Sequence, residues 1–113
     1  MGCLETLTDE NYREFLEKGM RVLLLTQRGC PHCRAWTGEV AEFLESEDDW
    51  KEVRFAKIDL ESGEIEEFKK ANDWLEFIPG VPFNVIFVEG QPTNSFAGSG
   101  VKRMVKRLER LSS

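Results

Sequence analysis

Two cysteines separated by two residues stand where a buried strand is expected to give way to a helix. The segment is Cys30-Pro31-His32-Cys33, and it follows the apolar run 22–25 and the strand breaker Gly29. Proline suits the first position of a helix, so Cys30 is expected at or just before a helix N-terminus. The unpaired N–H groups and the positive dipole end at that point favour a thiolate over a thiol. The spacing therefore predicts a redox pair in which Cys30 is the nucleophile.

The other residues of the motif have expected roles of their own. A cysteine in such a setting has a pKa of roughly 3.5–7.5 instead of the ~8.5 of a free thiol. Cys33, about one turn further on, can attack a mixed disulfide on Cys30 and release the substrate. His32 and Arg28 are expected to add positive charge beside the nucleophile. A purely structural disulfide is disfavoured, because a C-x-x-C bridge constrains little of the unfolded chain.

A zinc site is the main chemical alternative for this motif. His32 is the chain's single histidine and Cys3 its single further cysteine, so one of them would have to complete a half-site with Cys30 and Cys33. The sequence contains no second C-x-x-C and no H-x-x-x-H pair, which zinc sites normally require. We therefore expect no metal and no cofactor, and a metal-carrying or redox-sensing module without enzymatic activity is the competing class.

Length and charge restrict the class of protein further. The 113 residues, 41% of them hydrophobic, are expected to form one domain over 1–113 with a single core. No apolar stretch approaches the ~20 residues of a membrane-spanning helix, and the N-terminus lacks the pattern of a secretory signal. The net charge of −6 argues against nucleic acid binding. We expect a cytoplasmic monomer that binds neither membranes nor nucleic acids.

Hydrophobic patterning predicts an alternation of strands and helices in the order β-α-β-α-β-α-β-β-α. The early βα units predict a parallel sheet with right-handed crossovers, and the last two strands an antiparallel hairpin at its edge. Gly38 predicts a bend or close packing in the second helix. The predicted strands are 3–7, 22–25, 53–60, 83–89 and 93–97. The predicted helices are 8–18 (with Thr8 as N-cap), one from the cysteine motif to a polar loop at 46–49, 62–72 and one from 101.

This order, with C-x-x-C after the second strand, resembles the thioredoxin family over essentially the whole chain. The resemblance implies an α/β protein, a single-domain thioredoxin fold with a central mixed sheet flanked by helices. Gly80-Val81-Pro82 is similar to the family's Gly-Ile-Pro loop, whose proline is cis and faces the redox pair. The resemblance thus implies that Val81, Pro82 and Gly98 shape the groove for the substrate. Candidates for its rim are Arg28, Trp74, Phe77 and Pro79.

The sequence also departs from the family pattern. Gly29 replaces the tryptophan before the first cysteine, and Leu24 replaces a buried aspartate thought to accept the proton of the second cysteine. Lys57 falls where thioredoxins place a lysine on the central strand. A buried lysine without an acidic partner has a lowered pKa, so we hypothesise that neutral Lys57 is the base for Cys33. The Pro-His dipeptide of the motif resembles DsbA, an oxidising member of the same fold class.

The function expected from residues and resemblance together is that of a thiol:disulfide oxidoreductase. Its substrates would be proteins that contain disulfides, and its electron donor a thioredoxin-reductase-like enzyme or a small thiol. The low number of cysteines favours a cytoplasmic reductase. The dipeptide favours a disulfide donor or isomerase of DsbA-like poise, because a histidine beside the thiolate stabilises the reduced form.

Overall fold

The computed structural model describes residues 4–47 and 49–112, and Cys3 of the predicted first strand lies outside them. Within these residues five strands and four α-helices follow the predicted order, with one 3-10 helix before the fourth strand. The elements are β1 (Leu4–Thr6), α1 (Tyr12–Leu16), β2 (Met20–Thr26), α2 (Pro31–Ser46), β3 (Arg54–Asp59), α3 (Glu66–Ala71), the 3-10 helix Asp73–Phe77, β4 (Phe83–Val88), β5 (Gln91–Ala97) and α4 (Val101–Ser112).

The strands form one mixed sheet in the order β1-β3-β2-β4-β5. Strand β3 pairs in parallel with both β1 and β2, whereas β4 is antiparallel to β2 and to β5. The predicted parallel sheet with an antiparallel edge hairpin is therefore confirmed, as is the α/β fold class. The central position of β2 matters for the site, because the loop that carries both cysteines begins where this strand ends.

Helices cover both faces of the sheet, which explains the unbroken apolar run of β2. Its alternate residues Leu23 and Leu25 pack with α1 and α3, in a cluster that includes Phe15 and Phe68. Val22 and Leu24 point to the other face. There they pack against side chains of α2 and α4, among them Trp36, Val40, Met104 and Leu108. The helix that begins at the cysteine motif is thus held on the sheet by a continuous buried face.

The first helix is shorter than predicted, spanning Tyr12–Leu16 instead of 8–18. The N-cap position of α1 is held by Asn11 and not by Thr8, and the Asn11 side chain accepts a hydrogen bond from the Thr8 N–H at 2.7 Å within the turn before the helix. Asp9 was expected in the first turn of α1. Its carboxylate instead accepts the backbone N–H groups of Glu67 and Phe68 at 3.1 and 3.0 Å. The hydroxyl of Thr8 still accepts a local bond from the Glu10 N–H at 3.2 Å, whereas Asp9 is bonded to a helix more than 50 residues away in the chain.

Other boundaries also differ from the prediction. Helix α3 begins at Glu66 and not at 62. Each strand differs from its predicted range by one or two residues at one or both ends. The predicted close packing at Gly38 is wrong: the residue is exposed, α2 is continuous there, and a Cβ would meet nothing within 4 Å. The glycine faces solvent, so no neighbouring backbone requires its small size.

Candidate active site

Cys30 immediately precedes α2, and Pro31 is the first residue of the helix, as the sequence predicts. The backbone of Cys30 is extended, with φ −97° and ψ 103°. Cys30 and Cys33 are joined by a disulfide, with Cα atoms 5.2 Å apart. The backbone N–H of Cys33 donates to the Sγ of Cys30 at 3.1 Å. An N–H of the first helical turn therefore already points at the sulfur that would carry negative charge after reduction.

The two sulfurs differ in their access to solvent. Cys30 is half-buried at the end of the loop, whereas Cys33 is only 3% exposed. An incoming disulfide consequently reaches Cys30 first, and Cys33 is shielded until it attacks from the inside. This asymmetry supports the roles of nucleophile and resolving cysteine that the order of the motif suggested.

The Pro82 loop lies on the β4 side of the cysteine motif. Leu25 near the end of β2 pairs with Phe83 at the start of β4, so the antiparallel register brings the preceding Pro82 to the edge at which β2 leads into Cys30. The Val81–Pro82 peptide bond is cis, and Pro82 is buried. The carbonyl of Pro82 accepts the N–H of Gly98 at 2.9 Å. Two of the predicted groove segments are therefore bonded to each other at this edge.

His32 extends from the helix N-terminus to the loop between β5 and α4. Its Nε2 lies 3.2 Å from the Oγ of Ser99, the residue after Gly98. Sequence reasoning did not single out Ser99, because a serine between two glycines has the composition of any connecting loop. The contact joins the motif histidine to the same loop that bonds to Pro82.

A fully buried asparagine holds this loop against α2. Asn84 on β4 accepts a hydrogen bond from the indole Nε1–H of Trp36 at 2.7 Å. Its amide nitrogen donates to the carbonyls of Gly98 at 2.8 Å and Phe96 at 3.2 Å. A single polar residue in an otherwise apolar strand was the visible signal, but its partners are 12 to 48 residues away in the chain. Asn84 thus connects the helix of the cysteines with the groove loop.

A cavity of about 330 Å³ opens on the β3 side of the disulfide. Both cysteines line it together with Arg28, Arg34 and Lys57. The Nε of Arg28 donates to Asp59 at the end of β3 at 2.8 Å. Because β3 and β4 flank β2 on opposite sides, Arg28 lies on the side of the motif away from Pro82. The structure therefore does not bring Arg28 together with Val81, Pro82 and Gly98.

Lys57 shares a cavity with Cys33, but it is half-buried and not buried as predicted. It sits opposite Leu24 in the register of β2 and β3. Leu24 itself is fully buried in the cluster beneath α2 and α4, so its side chain supplies packing where the resembling family has an acid. The described residues that line the cavity include one amine, that of Lys57, and two guanidinium groups. An amine can act as a base, whereas an arginine stays protonated in proteins.

The aromatic rim candidates lie elsewhere. Trp74 and Phe77 line a second cavity of about 400 Å³ with residues of β4 and β5, and no cysteine is among its lining residues. Phe77 is 81% exposed, whereas Trp74 packs partly against the core beneath α1 and α3. Pro79 is exposed in the segment that leads to the cis bond. Trp74 and Phe77 therefore do not line the cavity on the β3 side of the disulfide, and their place at the rim of the Pro82 groove stays a prediction.

No group of three or more His, Cys, Asp or Glu side chains within 4–47 and 49–112 is arranged to hold a metal ion. In the same part of the chain, no helix has the length and apolar character needed to cross a membrane.

Comparison with solved structures identifies the fold. Spinach chloroplast thioredoxin f superposes with a TM-score of 0.79 at 17% identity, covering 99% of this chain and 96% of that one. Thioredoxin from Malassezia sympodialis gives 0.75 at 18% identity, with 100% and 94% covered. Chlamydomonas reinhardtii thioredoxin f2 gives 0.74 at 14% identity, with 95% and 94% covered. This chain has the thioredoxin fold.

Comparison at the level of sequence gives no match. The chain matches no family profile and no curated protein sequence. At the identities of the structural neighbours, the likeness concerns the fold, and the chemistry has to be argued from the residues of this chain.

Proposed function

We propose that this protein is a thiol:disulfide oxidoreductase that exchanges disulfides with protein substrates. The observation that carries the proposal is the pairing of half-buried Cys30, at a helix N-terminus, with buried Cys33 in one disulfide. A nucleophilic thiolate needs access and a positive environment, and its resolving partner needs protection from solvent. The fold supports the proposal, because its structural neighbours are thioredoxins.

The proposed reaction begins with the reduced pair. The Cys30 thiolate attacks one sulfur of the substrate disulfide, forms a mixed disulfide and displaces the other substrate sulfur as a thiolate. Cys33 then loses its proton and attacks the Sγ of Cys30, which releases the second substrate thiolate. Two electrons pass from the protein dithiol to the substrate, and the released thiolates take up protons. A dithiol reductase or a small thiol restores the reduced pair.

We assign substrate positioning to the β4 side of the motif. The backbone of Val81 can pair with an extended substrate segment, while Pro82 presents no N–H close to the reacting sulfurs. Gly98 lies beside Pro82, and the hydrogen bond between their backbones ties the loop after β5 to the loop that carries Val81 and Pro82. His32 is proposed to tune the couple from its position beside Ser99.

For the direction of transfer we propose a cytoplasmic reductase. The described residues hold a single cysteine pair, which fits a reducing compartment. One structural neighbour comes from a complex of ferredoxin:thioredoxin reductase with thioredoxin f2, which supports a reductase as the class of electron donor proposed here. The alternative is a disulfide donor or isomerase of DsbA-like poise, which the Pro31-His32 dipeptide between the two cysteines favours.

The reduction potential of the Cys30–Cys33 couple separates these directions. We expect a value near the ~−270 mV of thioredoxin, measured in glutathione or dithiothreitol redox buffers with Cys3 replaced by serine. A value near the ~−120 mV of DsbA would instead indicate a disulfide donor, and at ~1.4 kcal/mol per ~30 mV the two outcomes differ by roughly 7 kcal/mol. If no reversible disulfide forms, the oxidoreductase proposal is wrong.

Replacing Lys57 by methionine is expected to slow the resolution of the mixed disulfide several-fold, because we propose that this amine takes the proton of Cys33. The measurement is the rate at which a chromogenic mixed disulfide on Cys30 releases its thiol, followed across a range of pH. Lys51→Met removes an equal charge from an exposed loop and serves as the control. Equal release rates in wild type and Lys57→Met would exclude Lys57 as the base.

A further inference from the structure

The cavity on the β3 side of the disulfide combines positive charge with the reactive sulfurs, in a chain whose net charge is −6. Three of its described lining residues are basic, namely Arg28, Arg34 and Lys57, and none is an aspartate or glutamate. The nearby acid Asp59 is bonded to Arg28. No carboxylate among the described lining residues therefore neutralises the positive charges of Arg34 and Lys57.

Arg34 differs from the other arginines of the described residues. Each of those is tied to the fold by a hydrogen bond, an ion pair or an aromatic contact. The guanidinium of Arg34 makes no such contact within residues 4–47 and 49–112, although its backbone N–H donates to the Cys30 carbonyl at 3.1 Å. Its backbone is thus held beside the motif while its five N–H donors are available for a ligand.

The chemistry of the free group indicates what it can bind. A guanidinium is charged at every working pH, and its planar fork matches the two oxygens of a carboxylate. The cavity volume of about 330 Å³ lies at the small end of ligand pockets, so it suits one end of a short peptide better than a large cofactor. Because the cysteines share the same cavity, a carboxylate there would belong to a molecule whose disulfide is within reach of Cys30.

We propose that Arg34 binds a carboxylate of the substrate, so that the protein prefers disulfides with a carboxylate a few bonds from the reacting sulfur. The inference rests on the proposed oxidoreductase function and names the substrate class of the same site. Bonds and electrons change as in the exchange described above, and Arg34 only orients the substrate and attracts its charge. Such a carboxylate is present in small peptide disulfides of the glutathione type and in protein segments with an acidic residue beside the cysteine.

The test compares substrates that differ in the carboxylate alone. Reduced protein, with Cys3 replaced by serine, is mixed with oxidised glutathione or with the same disulfide after its carboxylates are converted to amides. The second-order rate of protein oxidation is measured by rapid acid quenching and thiol alkylation. We expect Arg34→Gln to slow the reaction with oxidised glutathione roughly fivefold, the size of an exposed ion pair, and to leave the amidated disulfide unaffected.

Matched variants and peptides complete the experiment. Lys106→Gln removes the same charge from an exposed position of α4, and should affect neither disulfide selectively. Peptide disulfides with an aspartate or an asparagine beside the cysteine show which kind of substrate supplies the carboxylate. If Arg34→Gln slows the reaction of the aspartate peptide, the preference extends to acidic protein segments. If it slows the reaction of oxidised glutathione alone, the preference is restricted to small peptides.

Two further outcomes are negative and distinguishable. An equal change with the charged and the amidated disulfide, or no change with either, would overturn the role of Arg34 while leaving the exchange chemistry intact. A wild-type protein that neither disulfide oxidises would overturn the proposed function itself, and this inference with it.

Discussion

Replacing Cys33 by serine is expected to abolish turnover and to trap the substrate on Cys30 as a stable mixed disulfide. The physical reason is the difference in access between the sulfurs, because Cys30 is half-buried and Cys33 is 3% exposed. The first attack needs only Cys30, whereas release needs a second sulfur attacking from within. Insulin reduction with dithiothreitol should fall to the rate of dithiothreitol alone. When the reduced variant is freed of dithiothreitol and mixed with substrate, mass spectrometry should find one substrate equivalent per protein.

The control for this variant is Cys30→Ser, made like the first in a Cys3→Ser background. With the accessible nucleophile removed, neither turnover nor a trapped complex is expected, since Cys33 is shielded by the fold. A trapped complex in Cys30→Ser, together with none in Cys33→Ser, would reverse the assigned roles. Unfolding curves of both reduced variants should match that of the reduced parent, which separates lost chemistry from lost structure.

Replacing Asn84 by alanine is expected to lower the free energy of unfolding by about 3 kcal/mol, a large share of the stability of a small domain. The substitution leaves the indole N–H of Trp36 and the carbonyls of Gly98 and Phe96 without their buried partner. Each unsatisfied buried group costs roughly 1–3 kcal/mol, less whatever an entering water recovers. Urea unfolding followed by circular dichroism measures the loss.

Asn94→Ala is the matched control for this prediction. Asn94 is half-buried on β5 and accepts one hydrogen bond from Arg107 at 2.7 Å, so its loss is expected to cost about 1 kcal/mol or less. A difference between the two variants of less than about 1 kcal/mol would show that the Asn84 network does not stabilise the fold as inferred. Because Asn84 also holds the loop at Gly98, we expect its variant to lose activity under conditions where it is still folded.

The arginines of this protein differ in whether the fold gives them a partner, which composition alone does not reveal. Among the basic residues after position 100, Arg103 and Arg107 lie over the ring of Phe96, each 5.2 Å from its centroid. Both also donate hydrogen bonds to strand β5 or the loop after it. Arg34, by contrast, is left available beside the cysteines. Which cation is bound and which is free depends on neighbours that are distant in sequence.

Local patterns were sufficient for the order of the elements and for the cysteine motif. The signals for the start of α2 are an apolar run, a strand breaker and a proline, and they are adjacent in the chain. Because they act on neighbouring residues only, the sequence was enough to predict Cys30 at the start of α2 correctly. The proline of the Val81–Pro82 bond was expected to be cis by resemblance rather than by any local rule, and the bond is cis in the structure.

What the sequence alone determined is therefore the fold class, the redox motif and the identity of its two sulfurs. The tertiary structure decided which groups surround them: Asn84 and Ser99 on one side, Arg34 and half-buried Lys57 on the other. It also placed the Asp9 carboxylate on the backbone N–H groups of α3, although Asp9 was expected in the first turn of α1. These contacts join residues separated by 12 to 67 positions, and no periodicity in a short window encodes such pairings. Strand register and helix packing bring the groups together, so they are determined only when the whole chain has folded.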